Sequence, residues 1–305
     1  MEGMVVESDK SGTLIHRGSS VYQCSAAGSM LSLADDYLAS KDVSAGYASN
    51  LRRTARKMAA AGMTNENVDG DRLSAWLSSL RVAGLSTISI ASERTSAMTL
   101  IRHGTEAGLI DRPIRNVIRH RITRPPTRAY SRDHLTDAVK RLSICEMGAF
   151  RSGCPKHVWL AAWVAYVYET GARFSDAYDL RAADLVPGGV AWTQSKTRTP
   201  VTKRLSSSTA GKLSALISLS PDGTVFRWAI SRRHAFVTIR RAFKEVGLEG
   251  GKTQWLRRSG ATHCEIEKPG SAKAYLGQKT HGLAEKAYID YAQMLPQMPA
   301  PPALD

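Results

Sequence analysis

Apolar positions recur every three or four residues through most of this chain, a spacing that puts them on one side of a helix. Leu31, Ala34 and Leu38 mark a first helix. Tyr47, Leu51, Ala55 and Met58 mark a second, which Ser44 can cap and Gly62 ends. Leu73, Trp76, Leu77 and Leu80 follow a cap at Asp69 or Asp71 and stop at Gly84. Ile90, Met98 and Ile101 follow Ser86 or Thr87 and run toward Gly108. The four predict a small helical domain over residues 29–110. Before it, residues 1–28 are polar, Ser/Gly-rich and without periodicity, as expected of a mobile arm.

The second half changes character. Ser131 caps a helix reaching Leu142. Residues 158–167, VWLAAWVAYV, are apolar on nearly every side, which predicts a buried core helix. Glu169-Thr170-Gly171 breaks it, and Ala172-Arg173-Phe174-Ser175-Asp176 opens the next helix, so Arg173 is expected at a first helical turn. Strand signals follow: a turn at Pro187-Gly188-Gly189, alternation over 190–193, a hairpin tip at Ser195-Lys196-Thr197-Arg198, and a return over 201–205. A helix over 209–219 comes next. Phe236, Ile239, Phe243 and Val246 then form another stripe, with Arg232, Arg233, Arg240 and Arg241 nearby. From Thr253 to Tyr291 the chain carries Arg257-Arg258 in an apolar-bracketed helical turn, a Leu276-Gly277 break, and Tyr288 in a short helical pattern. The fold class is therefore mainly α with a small β-sheet. A helical domain over 29–110 is joined by a linker over 111–130 to an α+β domain over 131–295. The Pro-rich tail over 296–305 is not expected to fold alone.

At 305 residues the chain is long enough for two cores. Its net charge is +15, which favours a polyanionic partner, nucleic acid being the commonest. Arg52, Arg53, Arg56 and Lys57 form a run with no acid among them, a candidate phosphate contact. Arg119, Arg121, Arg124 and Arg128 lie in the linker, where Pro125-Pro126 forbids a continuous helix and favours an extended strap. Each phosphate neutralised along such a strap releases counterions. Cys24, Cys145, Cys154 and Cys264 show no CxxC pair and no metal-ligand spacing, as expected of free thiols in a reducing compartment. No P-loop, GxGxxG after a strand, or HExxH is present, so neither a nucleotide nor a metal cofactor is expected. No apolar run is long enough to span a bilayer and no signal-peptide core is seen. A cytoplasmic, DNA-associated protein is the expectation.

In order, the chain reads Glu169-Thr170-Gly171-Ala172-Arg173-Phe174-Ser175-Asp176, then Ser195-Lys196-Thr197 on a hairpin, then Leu256-Arg257-Arg258-Ser259-Gly260-Ala261-Thr262, then Leu276-Gly277-Gln278 followed by Tyr288. Over residues 30 to 295 this resembles the tyrosine recombinase (phage integrase) family. The resemblance implies a SAM-like core-binding domain followed by a catalytic domain. It implies site-specific cleavage and rejoining of double-stranded DNA through a covalent 3′-phosphotyrosine, by a homo-tetramer on two DNA sites, with neither metal nor nucleotide. It makes Arg173 and Arg257 the two catalytic arginines, Lys196 the donor of a proton to the leaving 5′ oxygen, and Tyr288 the nucleophile. Two positions depart from the family pattern. Gln254 stands where a His or Lys usually precedes the second arginine, and Gln278 where a His or Trp usually follows Leu-Gly. Tyr288 also lies one residue farther from position 278 than is commonest, with Tyr291 as the alternative nucleophile. Glutamine can hydrogen-bond a phosphate but cannot transfer a proton near neutral pH. Two outcomes follow: slow cleavage, with His263 or His281 substituting, or a DNA-binding protein of the same fold without strand exchange. Relaxation of supercoiled DNA without a defined site is a third.

Overall fold

The computed structural model describes residues 28–123, 126–248, 250, 252–278, 287–290 and 293. The chain divides into two compact units, residues 1–124 and 125–305.

The first unit contains α1 (Met30–Ser40), α2 (Ala45–Ala60), α3 (Gly70–Val82) and α4 (Thr87–Glu106). Each opens on a side-chain cap: Ser29, Ser44, Asp69 and Ser86 accept the backbone N–H of Ser32, Tyr47, Arg72 and Ser89. Such a cap stabilises a helix by about 1 kcal/mol. The core gathers Met30, Leu33, Leu51, Met58, Leu73, Leu77 and Leu100. In α1 the buried face runs through Met30, Leu33 and Ala34, so Leu31 turns outward at 36% exposure. Tyr47 likewise sits at the exposed edge of its stripe. A Cβ on Gly104 would meet Ile110 at 2.8 Å and Leu33 at 3.2 Å, so a glycine there lets the chain fold back on α4. The segment that follows does not hang free. Ile118 N–H donates to Ser74 Oγ (3.0 Å), Arg94 Nε donates to the Ile118 carbonyl (3.1 Å), and Thr123 N–H donates to Thr87 Oγ1 (3.3 Å). Val117 joins the core. The basic strap up to residue 123 therefore lies along α3 and α4.

The second unit runs α5 (Arg132–Ile144), α6 (Lys156–Thr170), α7 (Phe174–Tyr178), a 3₁₀ turn, β1 (Leu185–Val186), β2 (Gly189–Thr193), β3 (Pro200–Arg204), α8 (Ser207–Ser218), α9 (Arg232–Glu245), α10 (Thr253–Glu267) and α11 (Ala272–Leu276). The strands form one antiparallel sheet in the order β1-β2-β3, with Trp192 opposite Val201. Helix α6 is the axis, packed against α5, α8 and α10. Its Trp159, Trp163 and Tyr166 are fully buried, the two indoles stacked at 5.1 Å. Gly171, with φ +63°, ends α6 in the left-handed conformation that glycine adopts without strain. In α9 the buried positions are Ala235, Ile239, Ala242 and Phe243. Phe236, expected in the core stripe, is 47% exposed and stacks on Phe174 at 3.7 Å. The small Ala235 packs inward in its place.

Candidate active site

The turn after α6, the turn between β2 and β3, helix α10 and the segment at Tyr288 supply the site. Arg173 is the N-cap of the short α7, directly after the Gly171 turn. Its Nη1 donates to Gln194 Oε1 (2.9 Å), and the Asp176 carboxylate lies 3.8 Å away. Arg257 sits in the second turn of α10 and is 3% exposed. Its Nη1 donates to the Gly171 carbonyl and its Nη2 to the Leu276 carbonyl at 3.0 Å. The carbonyls left over at the ends of α6 and α11 thus orient the guanidinium. Burial pushes the Arg257 pKa down and nearby Arg173 adds to this, while Tyr288 and Tyr275 push it up. An arginine stays protonated regardless. Its Nε is buried with no hydrogen-bond partner among the described residues.

Lys196 is exposed on the turn between β2 and β3. That turn is pinned on both sides. Ser195 donates to Asp176 Oδ1 from its N–H (2.9 Å) and its Oγ (2.6 Å), and Thr197 Oγ1 donates to Gln194 Oε1 (2.7 Å). Tyr288 lies with its ring centroid 5.2 Å from the Arg257 guanidinium carbon. Its backbone is held by the fully buried Thr262. Thr262 Oγ1 donates to the Tyr288 carbonyl (3.3 Å) and accepts from Asp290 N–H (3.0 Å).

Arg173, Lys196, Gln254, Arg257 and Tyr288 line one cleft of about 750 Å³. Lys252 and Arg240 add cations to it, and Phe174 and Phe236 form an apolar wall. Its described lining contains neither a carboxylate nor a histidine. Gln254 is exposed toward solvent at the start of α10. Gln278 is not part of the lining, and both polar atoms of its amide are buried without a partner among the described residues. His263 is turned elsewhere: its Nδ1 is 2.8 Å from Tyr168 Oη, and burial lowers its pKa. His281, Tyr291 and Arg124 lie outside the described residues.

The basic helix face of α2 has a different chemistry. Arg52 pairs with Asp35 of α1 at 2.8 Å. Lys57 and Arg53 approach Glu93 of α4 at 2.5 and 3.8 Å, and Thr54 Oγ1 donates to the same carboxylate. Arg56 is exposed and makes no ion pair with a described residue. Arg119, Arg121 and Arg128 are exposed.

Asp176, Gln194 and Thr262 carry the site's geometry without standing out in the sequence. Asp176 alone had a local signal, being three residues after Arg173, the spacing of a helical ion pair. Gln194 and Thr262 act across long stretches of chain and had none.

The chain is similar in fold to tyrosine recombinases of known structure. No protein-family model matches the chain, and no curated protein matches its sequence. Among solved structures it is similar to a lambda integrase dimer bound to a COC′ core site, at 18% identity over 90% of this chain and 80% of that one, with a TM-score of 0.68. It is also similar to the XerH site-specific recombinase bound to palindromic difH substrate (17% identity, 82% and 78% covered, TM-score 0.64). A third is the Tn1549 transposon integrase in complex with circular intermediate DNA (10% identity, 89% and 99% covered, TM-score 0.67). At these identities the likeness is one of fold.

Proposed function

We propose that this chain is a site-specific DNA recombinase that cleaves and rejoins duplex DNA through a covalent tyrosine intermediate. One observation carries the reading: two guanidiniums, a lysine on a pinned hairpin and a tyrosine share a single cleft. A phosphodiester repels nucleophiles, and its transition state gathers negative charge on the non-bridging oxygens. Arg173 and Arg257 would grip those oxygens with the N–H groups left free by their neutral partners, as forked cations do. Gln254 would add a hydrogen bond. Tyr288 Oη would attack phosphorus, forming the tyrosine–phosphate bond as the bond to the 5′ oxygen breaks. The phenol loses its proton to solvent water, and Lys196 gives one to the departing 5′ oxygen. Attack by a 5′ hydroxyl on the phosphotyrosine reverses the step, so strands rejoin without an external energy source.

Double-stranded DNA is the partner in this reading, met by the exposed Arg56, Arg119, Arg121 and Arg128 through its phosphates. Lambda integrase, to which the chain is similar at 19% identity and a TM-score of 0.68, has been solved as a tetramer bound to a Holliday junction. A homo-tetramer on two sites is the corresponding assembly here. A second reading, a DNA-binding protein that no longer cleaves, is favoured by one feature: the described cleft lining offers no histidine or carboxylate to take the phenolic proton.

A pool of nicked duplexes with randomised flanks separates the two. The nick lets the short 5′ fragment diffuse away, so a covalent complex cannot religate. The recombinase reading expects detergent-stable protein–DNA complexes from the native chain and none from Tyr288→Phe. Tight DNA binding with no covalent complex from either would establish the second reading.

A further inference from the structure

We propose that Gln194 is a positioning residue that holds both arginines and the Lys196 hairpin in one arrangement; this rests on the reading of the cleft given above. Gln194 is 1% exposed, and a buried amide needs partners at both ends. At the acceptor end, Oε1 takes Arg173 Nη1 (2.9 Å) and Thr197 Oγ1 (2.7 Å). At the donor end, Nε2 approaches the Leu276 carbonyl (3.5 Å), the same oxygen that accepts Arg257 Nη2 (3.0 Å). The backbone of Gln194 closes the turn itself: its N–H donates to the Thr199 carbonyl and its carbonyl accepts Arg198 N–H, both at 2.9 Å. One residue therefore touches the first arginine and the lysine-bearing turn, and meets the second arginine through a shared carbonyl.

The chemistry of the side chain suits the place. A leucine would strand the Arg173 and Thr197 donors. A glutamate would accept both, but it would set a negative charge beside the guanidinium that must hold phosphate and turn an oxygen toward the Leu276 carbonyl. The neutral amide pairs an oxygen that accepts both bonds with an NH₂ that donates toward the carbonyl, and it adds no charge. Gly277 makes the approach feasible: a Cβ there would stand 3.1 Å from Gln194 Nε2 and 3.2 Å from Val201.

The test compares Gln194→Leu and Gln194→Glu with the native chain on a nicked duplex selected from the randomised pool. A second copy of that duplex carries sulfur in place of the bridging 5′ oxygen, a leaving group that needs no proton. Gln194→Leu is expected to form adduct about 10- to 100-fold more slowly, as a catalytic group displaced by an ångström does, with DNA affinity within about threefold of native. Sulfur should restore Lys196→Ala almost fully and Gln194→Leu only in part, because the leucine also releases Arg173. Nitrogen-15 spectra of the DNA-free proteins give a readout independent of cleavage. The native chain should show resolved Arg173 Nη protons, assigned by their loss in Arg173→Lys, that collapse in Gln194→Leu and persist in Gln194→Glu. Gln194→Glu should fold and still cleave slowly. Native rates in both variants, or unchanged Arg173 signals in Gln194→Leu, would overturn the proposal. Absence of adduct from the native chain overturns the functional reading alone, and the spectra then decide the role of Gln194.

Discussion

The arginines of α2 and those of the cleft are held by opposite kinds of partner. On α2, Arg52 meets Asp35, and Arg53 and Lys57 meet Glu93, so carboxylates cancel much of the charge. In the cleft, Arg173 and Arg257 donate to an amide and to two main-chain carbonyls, with a single carboxylate 3.8 Å from Arg173. Neutral acceptors fix a guanidinium in place without spending its charge. A run of cations in a sequence is thus a poor guide to where positive potential survives. The partners decide, and they come from other helices.

The strongest way to break this contrast is Arg257→Ala. Removing one preorganised donor should cut adduct formation by about 100- to 1000-fold, or roughly 3 to 4 kcal/mol, while most DNA affinity remains. Quantifying adduct and binding on the same duplex checks it, and a parallel loss of both would put Arg257 among the binding residues. Next, Gln254→His places a proton acceptor in a cleft whose described lining has none. It should raise the cleavage rate by about 10²-fold, the lower end of what general base catalysis contributes. Gln278→His, outside that lining, should gain less, and single-turnover rates compare the two.

Smaller effects test the α2 side. Glu93→Gln keeps an acceptor for Thr54 and Lys57 but frees positive charge. DNA affinity at low salt should rise several-fold, with the slope of log K against log salt steeper by about 0.9 for each cation that reaches a phosphate. Arg56→Ala should flatten that slope by up to the same amount, and Arg52→Ala by much less, since Asp35 already occupies it. Titrations at three or more salt concentrations resolve both.

The smallest expected effect is on pH. Burial lowers the His263 pKa, so the unfolded chain binds the proton more readily. Stability should fall as pH drops through the ordinary histidine range near 6.5 and below, and rise again with pH through the same window. Denaturant melts of native and His263→Gln proteins check this; the variant should lose that part of the acid sensitivity.

Much of the fold was legible because helices announce themselves locally. The caps at Ser44, Asp69, Ser86 and Ser131, the apolar run inside α6 and the Pro187-Gly188-Gly189 turn each needed only a few neighbouring residues to read. Periodicity located stripes but not their edges: Leu31, Tyr47 and Phe236 fall on the exposed side. The candidate site was legible as a place: Arg173, Lys196, Gln254, Arg257 and Tyr288, all on short motifs, line one cleft. Gln278 does not join them, because its side chain turns into a buried space beside the Gly277 cap. The groups that tune the site were illegible, since Gln194 and Thr262 act on partners tens of residues away. So did the acids that quench α2, which belong to α1 and α4.

The central claim is that the Tyr288 hydroxyl and the two guanidiniums converge on one scissile phosphate. Its most direct test is mass spectrometry of the covalent complex after nuclease and protease digestion. The account predicts a peptide carrying a 3′-linked nucleotide on Tyr288, absent from Arg173→Ala and Arg257→Ala reactions. A nucleotide on Tyr291 or any other residue, or its undiminished yield without the arginines, would contradict it.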